Sequence, residues 1–146
     1  MVEKVLRIVT VLFKQRPVQE PVFLILHRCL NWSGWELLKG QLEPSEIAEE
    51  AVKREILEET SLKNIRVIKQ VNQKMNFFDK VQQKESEVFG FLVEVLDEKE
   101  VSLVNNPVKE HDGFAWVNAK TVMEKLKFEN TRQFFAVALK EMEEYK

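Results

Sequence analysis

The fold of this protein is decided by the stretch that runs from Gly40 to Leu62, GQLEPSEIAEEAVKREILEETSL. After Pro44 the residues have good helix propensity, and neither glycine nor proline interrupts the stretch again. We predict a helix that takes Ser45 as its N-cap and continues to about Thr60. The glutamates of its first turn favour this assignment, because negative charge stabilises the positive end of a helix dipole.

Three glutamates near the end of this helix break its amphipathic pattern. At about 100° per residue, the apolar and small side chains occupy roughly half of the circumference, the face expected to meet the protein body. These side chains are Ile47, Ala48, Ala51, Val52 and Ile56. Glu55, Glu58 and Glu59 fall within the same arc, and their spacing makes them neighbours on the helix surface.

A cluster of carboxylates on a buried face needs compensating charge, because the groups repel one another and lose their hydration. Hard divalent cations prefer oxygen ligands, and Mg²⁺ is commonly held by one or two carboxylates together with substrate phosphates. The pattern is therefore compatible with a metal site formed by Glu55, Glu58 and Glu59. The alternative is that the sheet ends before the helix does and that these glutamates extend into water.

The composition is that of an ordinary globular protein, and it narrows the classes of function. A length of 146 residues fits one domain that spans residues 1–146. The 22 basic and 24 acidic side chains argue against long nucleic acid as a partner but allow a small phosphorylated molecule. Cys29 is the one cysteine, and no segment has the length of a membrane span. We therefore expect a cytoplasmic protein without a membrane partner.

The rest of the chain alternates between strand-like and helix-like segments. Runs rich in β-branched and aromatic residues predict strands at residues 5–13, 22–26, 35–38, 65–71, 75–78, 88–95 and 113–117, with residues 101–104 as a weaker candidate. Asn118 and Asn130 are candidate N-caps for helices that end near Lys125 and Glu144. This mixture predicts an α/β or α+β sandwich with helices on both faces of the sheet.

Gly40, Glu46 and the segment from Arg54 to Leu62 resemble the signature of the Nudix hydrolases. That signature has a glycine, then a glutamate, then the pattern Arg-Glu-aliphatic-x-Glu-Glu-x-Gly-aliphatic, at the spacing found here. The last glycine is replaced by Ser61, which we expect to end the helix in a left-handed conformation. The resemblance implies a Nudix-type α/β/α sandwich with a mixed central sheet. It also implies hydrolysis of a pyrophosphate bond in a nucleoside diphosphate linked to another moiety, with Mg²⁺ or Mn²⁺ as the cofactor.

The resemblance implies roles for individual residues. The implied metal ligands are Gly40, through its backbone carbonyl, and the carboxylates of Glu55, Glu58 and Glu59. Gly40 is expected to turn the chain, which suits a residue without a Cβ. Arg54 is expected to orient the carboxylates and partly neutralise them, whereas Glu46 is expected to be structural. Glu59 and Glu55 are both candidates for the catalytic general base.

Two further segments resemble the diadenosine-tetraphosphate hydrolase branch of this family. Residues 35–40 are similar to a Trp-x-x-Pro-Lys-Gly segment, with Leu38 in place of the proline. Residues 110–116, which begin with Glu-His and end with Trp, are similar to a Glu-His-x-x-x-x-Trp element that serves the metal site. We therefore take Glu110 as the additional catalytic carboxylate, with Glu87 as the alternative.

Lys39 and His111 are the candidates for substrate binding, because a lysine suits a phosphate as a compact point charge and His111 lies next to Glu110. The alternatives are a solvated loop lysine and a histidine that bonds the backbone. A nucleobase needs a flat partner, although aromatic residues at strand or helix spacing usually belong to the core. The candidates are Phe77, Phe78, Phe89, Phe91, Phe134 and Phe135. The tyrosine platform of the branch is not evident, because Tyr145 is the one tyrosine.

The substrate stays open among several small nucleotides. A dinucleoside polyphosphate such as diadenosine tetraphosphate is the leading hypothesis. The alternatives are a nucleoside triphosphate, ADP-ribose, the 5′ end of an RNA, and a nucleotide-binding module without catalysis. We expect a monomer or a homodimer.

Overall fold

Eight strands and three helices follow one another in the residues that this computed structural model describes, which are 3–73, 75–79, 84–104, 106 and 108–145. The strands are β1 (Glu3–Arg16), β2 (Gln19–Arg28), β3 (Gly34–Glu36), β4 (Leu38–Gln41), β5 (Ile65–Gln70), β6 (Met75–Asp79), β7 (Lys84–Val95) and β8 (His111–Val117). The helices are α1 (Ala48–Thr60), α2 (Ala119–Lys125) and α3 (Glu129–Tyr145). None of the helices in these residues combines the length and the apolar character that crossing a membrane requires.

The strands form one mixed sheet in the order β3-β2-β1-β7-β5. β1 runs parallel to β7 over residues 3–13, and the other pairings are antiparallel. On its second edge, β1 pairs with β4 at residues 7–10 and with β2 at residues 13–16. β2 therefore diverges from β1, and β4 takes its place beside β1. Beyond this point β2 pairs with β3 and β8, and β6 pairs with β7.

β1 separates two hydrophobic layers, because its side chains alternate between the two faces of the sheet. Ile8 and Leu12 face α1, whereas Val9 and Val11 face α2 and α3. α1 contributes Ala51, Val52 and Ile56 to the first layer, and α3 contributes Phe134, Phe135 and Ala138 to the second. The prediction of an α/β sandwich with a mixed central sheet and helices on both faces is confirmed.

The start of α1 differs from the prediction. Ser45 is not the N-cap: it has a φ of 65°, and the amide of Glu46 donates to the carbonyl of Glu43 at 3.0 Å. Pro44 followed by a residue of positive φ under such a bond is typical of a type II turn. The helix begins after Ile47 instead, whose amide donates to a side-chain oxygen of Glu50 at 3.1 Å.

Two other sequence predictions were wrong, one because of a tertiary contact and the other because the helix begins earlier than predicted. Residues 101–104 do not form a strand in the described part of the chain; the amide of Ser102 instead donates to the carbonyl of Thr60 at 2.9 Å, at the end of α1. Asn130 lies inside α3 rather than at its N-cap. The amide of Arg132 donates to the carbonyl of Phe128 at 3.2 Å, so the first turn starts before Asn130.

The other two caps are as predicted. The side-chain oxygen of Asn118 accepts the amide of Thr121 at 2.9 Å. Ser61 ends α1 with a φ of 66°, and its amide donates to the carbonyl of Leu57 at 2.9 Å. The single strand predicted at residues 35–38 is two strands, β3 and β4, interrupted at Leu37.

Candidate metal centre

Arg54 ties the loop before α1 to the glutamates of the helix. Its Nε and Nη2 donate to the two carboxylate oxygens of Glu46 at 2.8 and 2.9 Å. Its Nη2 also donates to the carbonyl of Gln41 at 2.9 Å. The remaining nitrogen, Nη1, donates to Glu55 at 2.9 Å and to Glu58 at 3.3 Å. The hydrogen bonds from Arg54 lower the pKa of Glu46 to about 2, so this bidentate pair is fully charged at neutral pH.

Glu59 has a buried carboxylate with one oxygen left unpartnered. The residue is 4% exposed, because it follows Ile56 on the side of α1 that packs on the sheet. Its Oε2 has no hydrogen-bond partner among the residues that the structure describes. Burial, with the charges of Glu55 and Glu110 as smaller causes, raises the pKa of Glu59 to about 9. The carboxylate therefore holds a proton at neutral pH unless a metal ion takes the place of that proton.

Glu55 lies directly against the backbone of Gly40. A Cβ added at Gly40 would lie 2.3 Å from the carboxyl carbon of Glu55, so a side chain at this point of β4 would displace the glutamate. The expected turn at Gly40 is not found: the residue lies inside β4, and its φ is outside the left-handed region. Glycine is needed here for close approach. Burial raises the pKa of Glu55, and the hydrogen bond from Arg54 opposes that change.

Glu58 does not share the buried face with the other two glutamates. Its side chain is 48% exposed, and its Oε2 lies 3.3 Å from Nη1 of Arg54. The expectation that all three glutamates face inward was wrong for this residue. Ile47 precedes the helix and is 62% exposed, so the buried face centres on Val52 and Ile56, and Glu58 lies further round the helix.

A second segment brings another carboxylate to Glu59. Glu59, Glu110 and His111 each offer a potential ligand atom, and these atoms lie within 4.8 Å of one another. Carboxylate oxygens, including the unpartnered oxygen of Glu59, fit a hard divalent cation such as Mg²⁺ or Mn²⁺. Glu87, the alternative to Glu110, pairs with Lys4 at 2.6 Å and is not part of this cluster of described residues.

Glu36 in β3 joins the basic side chains that border the cluster. Its Oε2 lies 2.7 Å from Nε2 of His111 and 3.3 Å from Nη1 of Arg28, and its Oε1 lies 3.3 Å from Nζ of Lys39. Burial raises the pKa of Glu36, but the hydrogen bond from His111 and the nearby positive charges outweigh burial and lower it. Sequence reasoning missed this residue, whose one signal is an acid between the apolar neighbours Trp35 and Leu37.

The phenylalanines proposed for the nucleobase are mostly core residues. Phe91, Phe134 and Phe135 are buried, Phe89 is partly buried, and the side chains of Phe77 and Phe78 in β6 lie outside the described residues. A different pair lies near the site: the rings of Trp32 and Phe128 are 5.0 Å apart, and the guanidinium of Arg28 is 5.5 Å from the Trp32 ring. Phe128 is 43% exposed. Local sequence gave no signal for this pair, because the rings come from distant segments.

A family comparison identifies the domain that carries these features. The NUDIX domain model matches residues 5–137. The octanoyltransferase of Myxococcus xanthus is 31% identical over 120 residues, which are 82% of this chain and 32% of that protein. This chain therefore spans about a third of the length of that relative.

Solved structures show the same fold. A binary complex of the C. elegans Ap4A hydrolase superposes with a TM-score of 0.80 at 17% identity, covering 94% of this chain and 97% of that one. The MutT protein of Methanosarcina mazei Go1 superposes with a TM-score of 0.72 at 22% identity, covering 92% of each chain. The Nudix-type α/β/α architecture implied by the sequence is confirmed.

Proposed function

This chain belongs to the Nudix family. From that premise we propose that it is a pyrophosphohydrolase that cleaves dinucleoside polyphosphates such as diadenosine tetraphosphate. The observation that carries the proposal is the position of Glu110 and His111, which come from the segment resembling that branch and lie beside Glu59. The fold similarity to the C. elegans Ap4A hydrolase supports the same branch.

The carboxylates of α1 are the proposed metal ligands. These ligands are Glu55, Glu58 and Glu59, together with the backbone carbonyl of Gly40. Glu110, which immediately precedes β8, adds a carboxylate from a second segment. A bound Mg²⁺ or Mn²⁺ ion would neutralise charge that develops on the reacting phosphate and lower the pKa of the attacking water. Arg54 orients Glu55 through its hydrogen bond of 2.9 Å. Glu59, Glu55 and Glu110 are the candidates to accept the proton of the water, because neighbouring carboxylates titrate as a group.

The basic side of the site is the proposed position of the phosphate chain. Lys39 and His111 lie there, with Arg28 beside them, and all three contact Glu36. A lysine ammonium suits a phosphate oxygen as a compact point charge. The Trp32 ring, next to Arg28, is the aromatic surface that we propose for one nucleobase.

A substrate panel with product identification tests this proposal. Diadenosine tetraphosphate, nucleoside triphosphates, ADP-ribose and a 5′-triphosphorylated RNA are compared at equal concentration with Mg²⁺ and with Mn²⁺. We expect the highest kcat/KM for diadenosine tetraphosphate. A higher value for another member reassigns the substrate, and tight binding of every member without turnover contradicts the enzymatic reading. A steep salt dependence with the RNA would favour the RNA-end alternative.

Three carboxylate variants test the proposed centre. Glu59→Gln and Glu110→Gln are expected to lower kcat by about 100-fold or more, because each removes a metal ligand or a proton acceptor. Glu87→Gln is expected to stay near wild type, since this carboxylate pairs with Lys4 outside the cluster. A large loss in Glu87→Gln with little change in Glu110→Gln would transfer the catalytic role to Glu87. Activity of Glu59→Gln near that of wild type would refute the proposed centre.

Three broader expectations stay predictions. They are one domain over residues 1–146, a cytoplasmic location, and a monomeric or homodimeric state. Cys29 is exposed with a free thiol, which is compatible with a reducing compartment.

A further inference from the structure

We propose that Glu36 is a positioning residue whose buried carboxylate holds Arg28, Lys39 and His111 together as one group of basic side chains that receives the phosphate chain. The inference deepens the proposed function and rests on it, since it assigns these basic side chains to phosphate. The side chain of Glu36 is 5% exposed, and it contacts all three basic groups at 2.7 to 3.3 Å.

The three basic side chains come from separate strands, and Glu36 is their shared partner. Arg28 ends β2, Lys39 lies in β4, and His111 begins β8. Glu36 of β3 lies directly opposite Leu26 of β2, and the side chain of Leu26 belongs to the hydrophobic layer under α1. Opposite residues of paired strands point to the same face of a sheet, so the carboxylate of Glu36 is on the face that also carries the metal-site glutamates. A single carboxylate therefore sets the relative positions of three basic groups that no local sequence feature brings together.

The basic group borders the carboxylate cluster directly, through Arg28. Nη1 of Arg28 lies 3.3 Å from Glu36 and 3.8 Å from Glu110. Without Glu36, the guanidinium would turn to Glu110, a proposed catalytic carboxylate. Glu36 thus also keeps Arg28 from competing with a metal ion for that carboxylate.

The basic groups retain donors for a ligand. The side chains of Lys39 and Arg28 are 35% and 17% exposed, whereas Glu36 lies beneath them. The ammonium of Lys39 lies 3.3 Å from Oε1 of Glu36, an oxygen without a hydrogen-bond partner among the described residues, so its three donors are not used by Glu36. Arg28 uses Nη1 for Glu36 and Nε for the carbonyl of Leu30, and its Nη2 is left for a ligand. Because a buried ion group contributes little net stability, its placement at this site favours a positioning role.

The direction in which anion affinity changes on replacing Glu36 distinguishes a positioning role from an effect of its charge alone. Glu36→Gln keeps the size of the side chain and removes one negative charge beside the site. If Glu36 acted only through its charge, its removal would strengthen the binding of an anion. If Glu36 positions the basic side chains, its removal disperses them and weakens the binding of the same anion.

The probe is inorganic pyrophosphate with Mg²⁺, titrated calorimetrically into the full chain. We expect Glu36→Gln to weaken binding by about tenfold, the loss of one or two charge-assisted contacts. For the nucleotide that wild type turns over, KM should rise by a similar factor, while kcat changes by less than about threefold. Glu36→Asp, which keeps the charge on a shorter side chain, should recover part of the affinity.

The matched control is Glu141→Gln in α3, on the opposite face of the sheet. Glu141 is also buried, pairs with Lys69 at 2.7 Å and accepts the amide of Asn72. We expect it to lower the melting temperature without changing pyrophosphate affinity. Both variants are titrated well below their melting transitions. If Glu36→Gln does not fold, the comparison is made with Glu36→Asp, for which we expect weaker binding than in wild type.

Several results would overturn the inference. They are pyrophosphate binding by the Glu36 variant that equals or exceeds wild type, equal weakening in Glu141→Gln, and absence of pyrophosphate binding by wild type. Failure to hydrolyse diadenosine tetraphosphate, with the expected pyrophosphate pattern intact, refutes the proposed substrate and leaves the role of Glu36 standing.

Discussion

Because the carboxyl of Glu59 is buried, we predict that replacing Glu59 with glutamine stabilises the metal-free protein. Its pKa is about 9 in the folded state, and the ordinary value is 4.5. A carboxyl whose pKa rises on folding favours the folded state at pH values below the ordinary pKa. That contribution is lost progressively as the pH rises from 4.5 to about 9. At pH 7 unfolding ionises Glu59, and this ionisation favours the unfolded chain.

The free energy of unfolding that wild type loses at pH 7 follows from the difference between pH 7 and the ordinary pKa of 4.5. About 2.5 pH units at about 1.36 kcal/mol each give an upper limit of about 3 kcal/mol. Glu59→Gln keeps the shape of the side chain and cannot ionise. Its free energy of unfolding at pH 7 should therefore exceed that of wild type by up to this amount. For a chain of this length, that corresponds to a rise in Tm of up to about 10 °C. The gain should be small near pH 5 and should grow towards pH 8.

The assay is thermal and urea denaturation in EDTA at pH 5, 7 and 8. Glu141→Gln is the control, because its carboxylate is buried but paired with Lys69, and we expect it to lose stability. Adding Mn²⁺ should stabilise wild type more than Glu59→Gln, since a bound ion replaces the proton. If Glu59→Gln is no more stable than wild type at pH 7, or if its advantage does not grow with pH, the reasoning is refuted.

Two further variants test the packing around this centre. Gly40→Ala is expected to lower kcat/KM by about tenfold or more, because its Cβ would lie 2.3 Å from the carboxyl carbon of Glu55. Gly113→Ala is the control and should have a kcat/KM near that of wild type, because the atom nearest to its Cβ would be the His27 Cβ at 3.8 Å. Equal activity of the two variants would contradict this account. Arg54→Lys cannot form the bidentate bond that fixes the loop before α1, so we expect a loss of about 1 kcal/mol in chemical denaturation together with reduced kcat. Unchanged stability and turnover would remove the proposed role of Arg54.

Sequence patterns were sufficient for the parts of the protein that depend on local spacing. The glycine, the arginine and the glutamates of residues 40–62 identified the family, and apolar runs located most strands. Errors arose where a nearby alternative was stronger than the local signal. Ser45 formed a turn with Pro44 rather than a cap, and the amide of Ser102 bonded the end of α1 rather than a strand.

The sequence by itself determined that several carboxylates lie close together near the C-terminal end of one helix, because helical spacing is a local property of the chain. Only the tertiary structure decided which of them is buried, because that depends on where α1 meets the sheet: Glu59 lies inside, and Glu58 lies half in solvent. The structure alone also brought Glu36 to Arg28 and His111, whereas Lys39 lies three residues further along the chain. Their meeting depends on the register of β3 and β8 against β2, and strand register between distant segments is not encoded in local spacing.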